Sequence, residues 1–229
     1  MILASMKRSL APLKGRVRTE TRRLVPFVRR PMRFPTYAPA VRERVEALSD
    51  DIRYAMLALA IQRLEAEGIE GAFAELGVYR GVTSRFIHLQ APDRRLYLFD
   101  TFQGFPEADL GSVRDYRFKD TSQDEVAQRI GDTKNVIFRA GYFPVTATGL
   151  EQERFALVML DFDLYQPALE AFRFFYPRLV SGGYFFMHDF NSPESDHAIS
   201  RAASEFLSDK PEFLIEMPDE WGSAVFRKA

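Results

Sequence analysis

At 229 residues and 46% hydrophobic, the chain is long enough for one full α/β domain plus an appendage and too short for two generous ones. It has no cysteine, which excludes a disulfide framework and a thiolate metal site, and its three histidines (His88, His188, His197) lack the spacing of a zinc motif. The net charge of −1 hides an asymmetry: residues 1–33 carry ten Lys or Arg against the single acid Glu20, so this arm is +9 and residues 34–229 are −10.

Residues 1–39 read as a basic N-terminal arm and 40–229 as the folded domain. Within the arm, Arg22, Arg23, Leu24, Val25, Phe27, Arg29 and Arg30 interleave charge with apolar bulk. Two readings stay open: a poorly ordered or subunit-clasping extension, the latter making a homo-oligomer, or weak contact with an anionic membrane or another acidic surface. Pro26, Pro31 and Pro35 argue against one continuous helix there. No nucleic-acid partner is expected, because the acidic remainder would repel a phosphate backbone. The longest uncharged apolar runs, Tyr54–Ile61 and Phe155–Leu160, fall far short of a membrane span. No early segment has the apolar core of a secretory signal. The expectation is a soluble, cytoplasmic protein.

From Ala40 to Gly68, Val41, Val45, Leu48, Ile52, Met56, Leu57, Ala60, Ile61 and Leu64 recur at helical spacing, with Ser49 and Asp50 as caps for the second of two helices. Phe73–Gly81 follows, reading Phe-Ala-Glu-Leu-Gly-Val-Tyr-Arg-Gly. An apolar strand headed by an acid, Glu75, and then by Gly77 and Gly81 is how a buried parallel strand passes into a helix across a ligand. The three-glycine dinucleotide fingerprint is missing. A loop with an acid at its head, filled by Val78, Tyr79 and Arg80, suits a positively charged ligand without phosphate, such as S-adenosylmethionine; an ordinary strand-ending turn is the alternative.

The next helix carries Phe86, Ile87 and Leu89 and ends before Pro92. Arg95–Asp100 is a second strand, closed by an acid placed either for a ribose diol or as an exposed cap. Thr101–Pro106 opens a polar stretch to about Gln123, long enough to cover a ligand, and Asp120–Ser122 start a helix faced by Val126 and Ile130. A third strand, Asn135–Ala140, ends at Gly141, after which Tyr142 and Phe143 can flank a flat ring. The fourth, Phe155–Leu160, leads into Asp161-Phe-Asp163. Pro167 opens a helix that runs to Leu179 and is stopped by Ser181-Gly-Gly183. The fifth, Tyr184–Met187, ends in His188-Asp189, and a helix over 196–207 precedes a hairpin of Phe213–Met217 and Ser223–Phe226. This order predicts an α/β fold, a doubly wound, mostly parallel sheet with helices on both faces. Glu75, Asp100, Asp161 with Asp163, and Asp189 should share one crevice beyond the strand ends.

The segments Glu75–Gly81, Leu98–Phe105 (Leu-Phe-Asp-Thr-Phe-Gln-Gly-Phe), Gly141–Pro144, Leu160–Tyr165, Tyr176–Leu179 and Gly182–Asp189 together resemble the macrocin O-methyltransferase (TylF-type) family over about residues 70–207. The resemblance implies a class I, Rossmann-like methyltransferase with a reversed C-terminal strand. It implies methyl transfer from S-adenosylmethionine to a hydroxyl of a small-molecule acceptor, a sugar or glycosylated natural product, assisted by Mg²⁺ (or Mn²⁺). Carried over by position, Glu75, Gly77 and Gly81 would hold the methionine end, Asp100 the ribose, and Gly141, Tyr142 and Phe143 would lie near adenine. Tyr79, Ser84, Thr101, Phe102 and Asp161 complete the expected cofactor set. Asp161, His188 and Asp189 would be the metal ligands, and Asp161 and His188 the catalytic pair. In the family the residues after the fifth strand are commonly Asp-Asp, where this chain has His188-Asp189.

An alcohol gives up its proton reluctantly near neutral pH, so the reaction calls for a base, a cation that lowers the hydroxyl pKa, or both. His188 has three readings: base, metal ligand or structural residue; as a ligand it would bias the site toward Mn²⁺, Fe²⁺ or another imidazole-tolerant ion. Asp163 is expected to orient its loop or cap the following helix, and His88 and His197 to be surface residues. Two alternatives to a methyltransferase remain: an NAD(P)-dependent oxidoreductase on a related sheet, and a catalytically inactive methyltransferase-like scaffold.

Overall fold

The computed structural model describes residues 38–110 and 115–229. The basic arm, with the self-association and membrane readings that rest on it, lies outside the described residues. Two helices lead in: α1 (Pro39–Glu46), with proline in its first turn, and α2 (Asp51–Ala66), capped by the Asp50 side chain accepting from the Arg53 amide. Five strands then run parallel: β1 (Ala72–Leu76), β2 (Leu96–Asp100), β3 (Val136–Ala140), β4 (Phe155–Leu160) and β5 (Leu179–Met187). Between them lie α3 (Val82–Gln90), the single turn α4 (Glu107–Leu110), α5 (Gln123–Ile130) and α6 (Tyr165–Phe175). After α7 (Ala198–Leu207) the chain closes with β6 (Ile215–Glu216) and β7 (Ala224–Arg227), and β7 runs antiparallel to β5. The sheet order is β3-β2-β1-β4-β5-β7-β6, so the winding reverses between β1 and β4. No helix among the described residues is long and apolar enough to cross a membrane.

β1 and β4 are buried at every position, as strands covered on both faces must be, and apart from Glu75 in β1 they are apolar throughout. Much of the unusual phenylalanine content goes into one cluster on the sheet. Phe175 of α6 lies 4.8 Å from the ring of Phe155 and 5.7 Å from that of Phe99, and Phe143 stacks against it at 6.0 Å. Beside them, Phe172 stacks on Phe185 at 5.0 Å and Phe185 on Phe226 at 5.3 Å, fastening α6 and β7 to β5. A rigid sheet floor under the strand ends is the consequence.

Three expectations need correction. The helix after Pro167 stops at Phe175 instead of Leu179; a 3₁₀ turn over Tyr176–Arg178 follows, since Pro177 cannot continue the α-helical ladder. Ser181-Gly-Gly183 therefore lies inside β5 rather than ending a helix. The β4–β5 register shifts there, and a Cβ at Gly183 would meet the carbonyl oxygens of Val180 at 2.9 Å and Ala156 at 3.0 Å, so the glycines mark a bulge. Where a strict strand–helix alternation would put a helix after β3, the chain has only a 3₁₀ turn, Val145–Ala147. The Phe213–Met217 strand shrinks to two residues, with Phe213 91% exposed.

Candidate active site

The five parallel strands end along one cavity of about 520 Å³, at the reversal between β1 and β4 where a doubly wound sheet opens a crevice. Its wall includes Glu75 within β1 and Gly77 after it, Asp100 at the end of β2 and Thr101 after it, Gly141–Phe143 after β3, Asp161–Leu164 after β4, and His188 and Asp189 after β5. Tyr79 also lines it. The four expected carboxylates, Glu75, Asp100, Asp161 and Asp189, meet here together with Asp163.

Gly81, Ser84 and Phe102, expected among the cofactor residues, stand off this wall. Gly81 is the left-handed N-cap of α3, and a Cβ there would lie 2.6 Å from Val126 of α5; its lack of a side chain serves helix packing. Ser84 is fully buried behind Glu75 and donates its hydroxyl to that carboxylate. Phe102 turns away to pack on Phe138, 6.3 Å between ring centres. Gly77 lines the cavity, but its close approach is to the protein: a Cβ would fall inside the Asp161 carbonyl, 2.7 Å from its carbon. Phe143 reaches the wall from within the phenylalanine cluster, whereas Tyr142 is half out in solvent and donates to Asp109 on α4 at 2.9 Å.

Asp100 shapes the loop it faces. One oxygen accepts from the amides of Val78 at 2.7 Å and Tyr79 at 2.9 Å, the other from Phe102 at 2.7 Å. The β1 loop is thereby tied to β2, and Tyr79 is held at φ 48. Its hydroxyl donates to Asp120 at 3.0 Å, and Arg80 pairs with the same carboxylate. Glu75 is fully buried; burial pushes its carboxyl well above the usual range, against the opposing pull of the Ser84 hydrogen bond.

At the other end, His188 Nδ1 lies 2.9 Å from Asp161 Oδ1 and 3.2 Å from Asp189 Oδ2, while its Nε2 is buried without a partner. Burial pulls the imidazole down, but the Asp161 charge and the hydrogen bonds to Asp161 and Asp189 outweigh it and push it up to about 10. Asp163 sits at φ 59 and caps no helix, since the N-cap of α6 is Leu164. Burial, the Asp161 charge and a hydrogen bond to Asp189 push Asp163 up to about 8, so it belongs to the acidic cluster. In the ion-free protein His188 therefore carries its proton at neutral pH and serves as a cationic brace between two carboxylates.

A pH dependence follows. A histidine raised above its free value of 6.5 stabilises the fold fully below that pH, and the contribution is lost as pH climbs through about 10. Chelator-treated protein should lose melting temperature between pH 7 and 10, and His188→Asn should flatten that decline. Equal slopes in the two proteins would contradict the bracing role.

Several wall residues left no motif in the sequence. Arg53 and Tyr54 of α2 reach the cavity, as do Thr83, Arg117, Phe118, Glu194 and Trp221. Arg53 had one available signal: it lies on the apolar stripe of α2 with Leu57 and Ile61, where a charge needs a partner. His88 is also misjudged, being 3% exposed on α3 instead of at the surface, while His197 is exposed as expected.

The profile of the macrocin O-methyltransferase (TylF) family matches residues 46–211. The chain belongs to this family. Among similar proteins, the 8-demethyl-8-(2,3-dimethoxy-alpha-L-rhamnosyl)-tetracenomycin-C 4'-O-methyltransferase of Streptomyces olivaceus is 31% identical over 159 residues, 62% of this chain and 59% of that protein. The mycinamicin III 3''-O-methyltransferase of Micromonospora griseorubida is 27% identical over 153 residues, 58% of this chain and 60% of that protein. The chain thus spans about three fifths of the length of these relatives. Among solved structures, the O-methyltransferase NovP superposes with a TM-score of 0.62 at 21% identity, covering 78% of this chain and 80% of NovP. The calicheamicin methyltransferase CalS11 gives 0.60 at 19% identity, covering 85% and 95%. These neighbours establish the fold of a TylF-family chain: a mostly parallel sheet with a reversed C-terminal strand.

Proposed function

We propose that the chain is an S-adenosylmethionine-dependent O-methyltransferase, working in the cytoplasm, whose acceptor is a hydroxyl on a sugar or glycosylated natural product. One observation carries the reading: in a TylF-family chain, acids from the ends of β1, β2, β4 and β5 converge on a single cavity at the reversal of the sheet. The acceptor class is supported by the tetracenomycin rhamnosyl and mycinamicin methyltransferases to which the chain is similar. Residues 40–229 form the catalytic domain in this reading, with 1–39 as an appended arm.

The reaction joins the acceptor oxygen to the methyl carbon of the sulfonium donor, breaks that carbon's bond to sulfur, and leaves one proton with the protein. Glu75 faces the amino-acid tail of the donor, Asp100 and Thr101 its ribose, and Gly141, Tyr142 and Phe143 its adenine. With its Nδ1 already bonded to two carboxylates, His188 is not a free base. The acceptor's proton passes to a carboxylate oxygen of Asp161, and the residues lining the cavity hold oxygen and methyl carbon in line.

Asp161, His188 and Asp189 each offer one ligand atom, all within 4.8 Å of one another, a spread that fits a small divalent ion. Two carboxylates with an imidazole suit Mn²⁺ better than Mg²⁺, which favours oxygen alone. Held there, the ion would lower the pKa of the acceptor hydroxyl. Ligation requires His188 to lose its proton, so Mn²⁺ affinity should rise from pH 6 to pH 8, read from the free Mn²⁺ signal in electron paramagnetic resonance. Affinity independent of pH would exclude His188 from the ligand set.

The function is tested by incubating the full chain with S-adenosyl-[methyl-¹⁴C]methionine and a panel of rhamnosylated acceptors, with and without chelator. Label transferred to a sugar hydroxyl, reduced by chelation and restored by Mn²⁺, is the expected result. Failure of S-adenosylhomocysteine to bind would overturn the reading, and binding without transfer to any hydroxyl acceptor would favour the inactive scaffold.

A further inference from the structure

We propose that Arg53, on α2, grips the carboxylate of the donor's methionine tail and so selects an amino-acid-bearing ligand, an inference that rests on the S-adenosylmethionine reading of the cavity. Arg53 lines the cavity with a side chain only 14% exposed. Its present contacts leave the guanidinium under-used. One terminal nitrogen donates to the Tyr54 hydroxyl at 3.3 Å, the other approaches Asp161 no closer than 4.0 Å, and Nε, beside Asp50 at 3.3 Å, is buried without a hydrogen bond. Asp50 pairs with Nε and the Tyr54 ring lies 4.8 Å from the guanidinium carbon, which leaves the terminal N–H donors of the planar fork able to take an anionic ligand.

The neighbours define what would meet them. The Tyr54 hydroxyl is 2.9 Å from Thr83 Oγ1 at the start of α3, and Tyr54, Thr83 and Glu75 line the cavity with Arg53. Arg53 and Glu75 lie close enough to feel one another's charge. A cation and an acid that line one cavity together with the hydroxyls of Tyr54 and Thr83 match an α-amino-acid zwitterion: carboxylate on the guanidinium fork, ammonium on Glu75. A ligand without a carboxylate would offer the terminal nitrogens of Arg53 no anion.

A mere structural brace for Asp50 and Asp161 would not discriminate among ligands, which makes the idea testable by calorimetry on the full chain. S-adenosylhomocysteine should bind the unaltered protein about 10- to 100-fold more tightly than its decarboxylated analogue, the loss expected for a charged hydrogen-bond pair. Arg53→Gln should erase most of that preference while leaving 5'-methylthioadenosine, which lacks the amino-acid tail, near its original affinity. Arg53→Lys, which keeps the charge and loses the fork, should fall between and serves if Arg53→Gln does not fold. Equal affinity of the unaltered protein for the two homocysteine ligands, or an equal loss for all ligands on substitution, would overturn the assignment while leaving the cofactor reading intact. Failure of the unaltered protein to bind S-adenosylhomocysteine at all would overturn both.

Discussion

Replacing Asp161 by Asn is expected to lower kcat about 10²- to 10⁴-fold, the range for removing a positioned base or charge stabiliser. The residue follows β4 at the mid-point of the crevice. It accepts from His188 at 2.9 Å, lies 4.0 Å from Arg53, and offers one of the three atoms able to hold an ion. The amide keeps the shape and loses the negative charge. Rate should therefore suffer far more than affinity for S-adenosylhomocysteine, whose main contacts, under the proposed function, lie along β1 and β2. The Asn variant should also unbrace His188, visible as a histidine that titrates nearer its free range by nuclear magnetic resonance. A rate within tenfold of the parent would remove Asp161 from the chemistry.

Substituting Gly77 by Ala should be the most destabilising glycine-to-alanine change among the described residues. Gly77 adopts φ +87, and the added methyl would fall inside the Asp161 carbonyl group, so β1 and β4 would have to separate at their ends. Overpacking and backbone strain together should cost about 3–5 kcal/mol. Gly68→Ala is the control. It has φ +65 and nothing within 4 Å of the added methyl, so only the strain remains, about 1–2 kcal/mol. Denaturant midpoints of the two variants separate the effects. Comparable losses would show that the β1–β4 approach is not tight.

What could be read from sequence was what is local along the chain. Apart from Glu75, β1 and β4 are apolar runs buried at every position, and β2, β3 and β5 also end where an acid, glycine or histidine says they do; a strand's end needs only its own residues to be visible. The acids converge because parallel strands all point their carboxyl ends the same way, a constraint of topology that the alternation of elements already carries. Pairings across the fold were hidden. Nothing near Gly81 reveals that Val126 will pack against it, and nothing near Ser84 reveals that its hydroxyl will go to Glu75. Arg53 comes from a helix that precedes the sheet and is laid over the crevice by packing alone. The end of α6 is different, because Pro177 marks it locally: proline cannot continue the ladder, and the helix gives way to a 3₁₀ turn before Gly182-Gly183 is reached.

The central claim is that one cavity at the strand ends is built for a sulfonium-bearing nucleoside. Isothermal titration of the full chain with S-adenosylhomocysteine and, separately, with NAD tests it most directly. The account predicts saturable, one-to-one binding of S-adenosylhomocysteine, weakened by Glu75→Gln, with no binding of NAD. No heat from S-adenosylhomocysteine, or tighter binding of NAD, would contradict it.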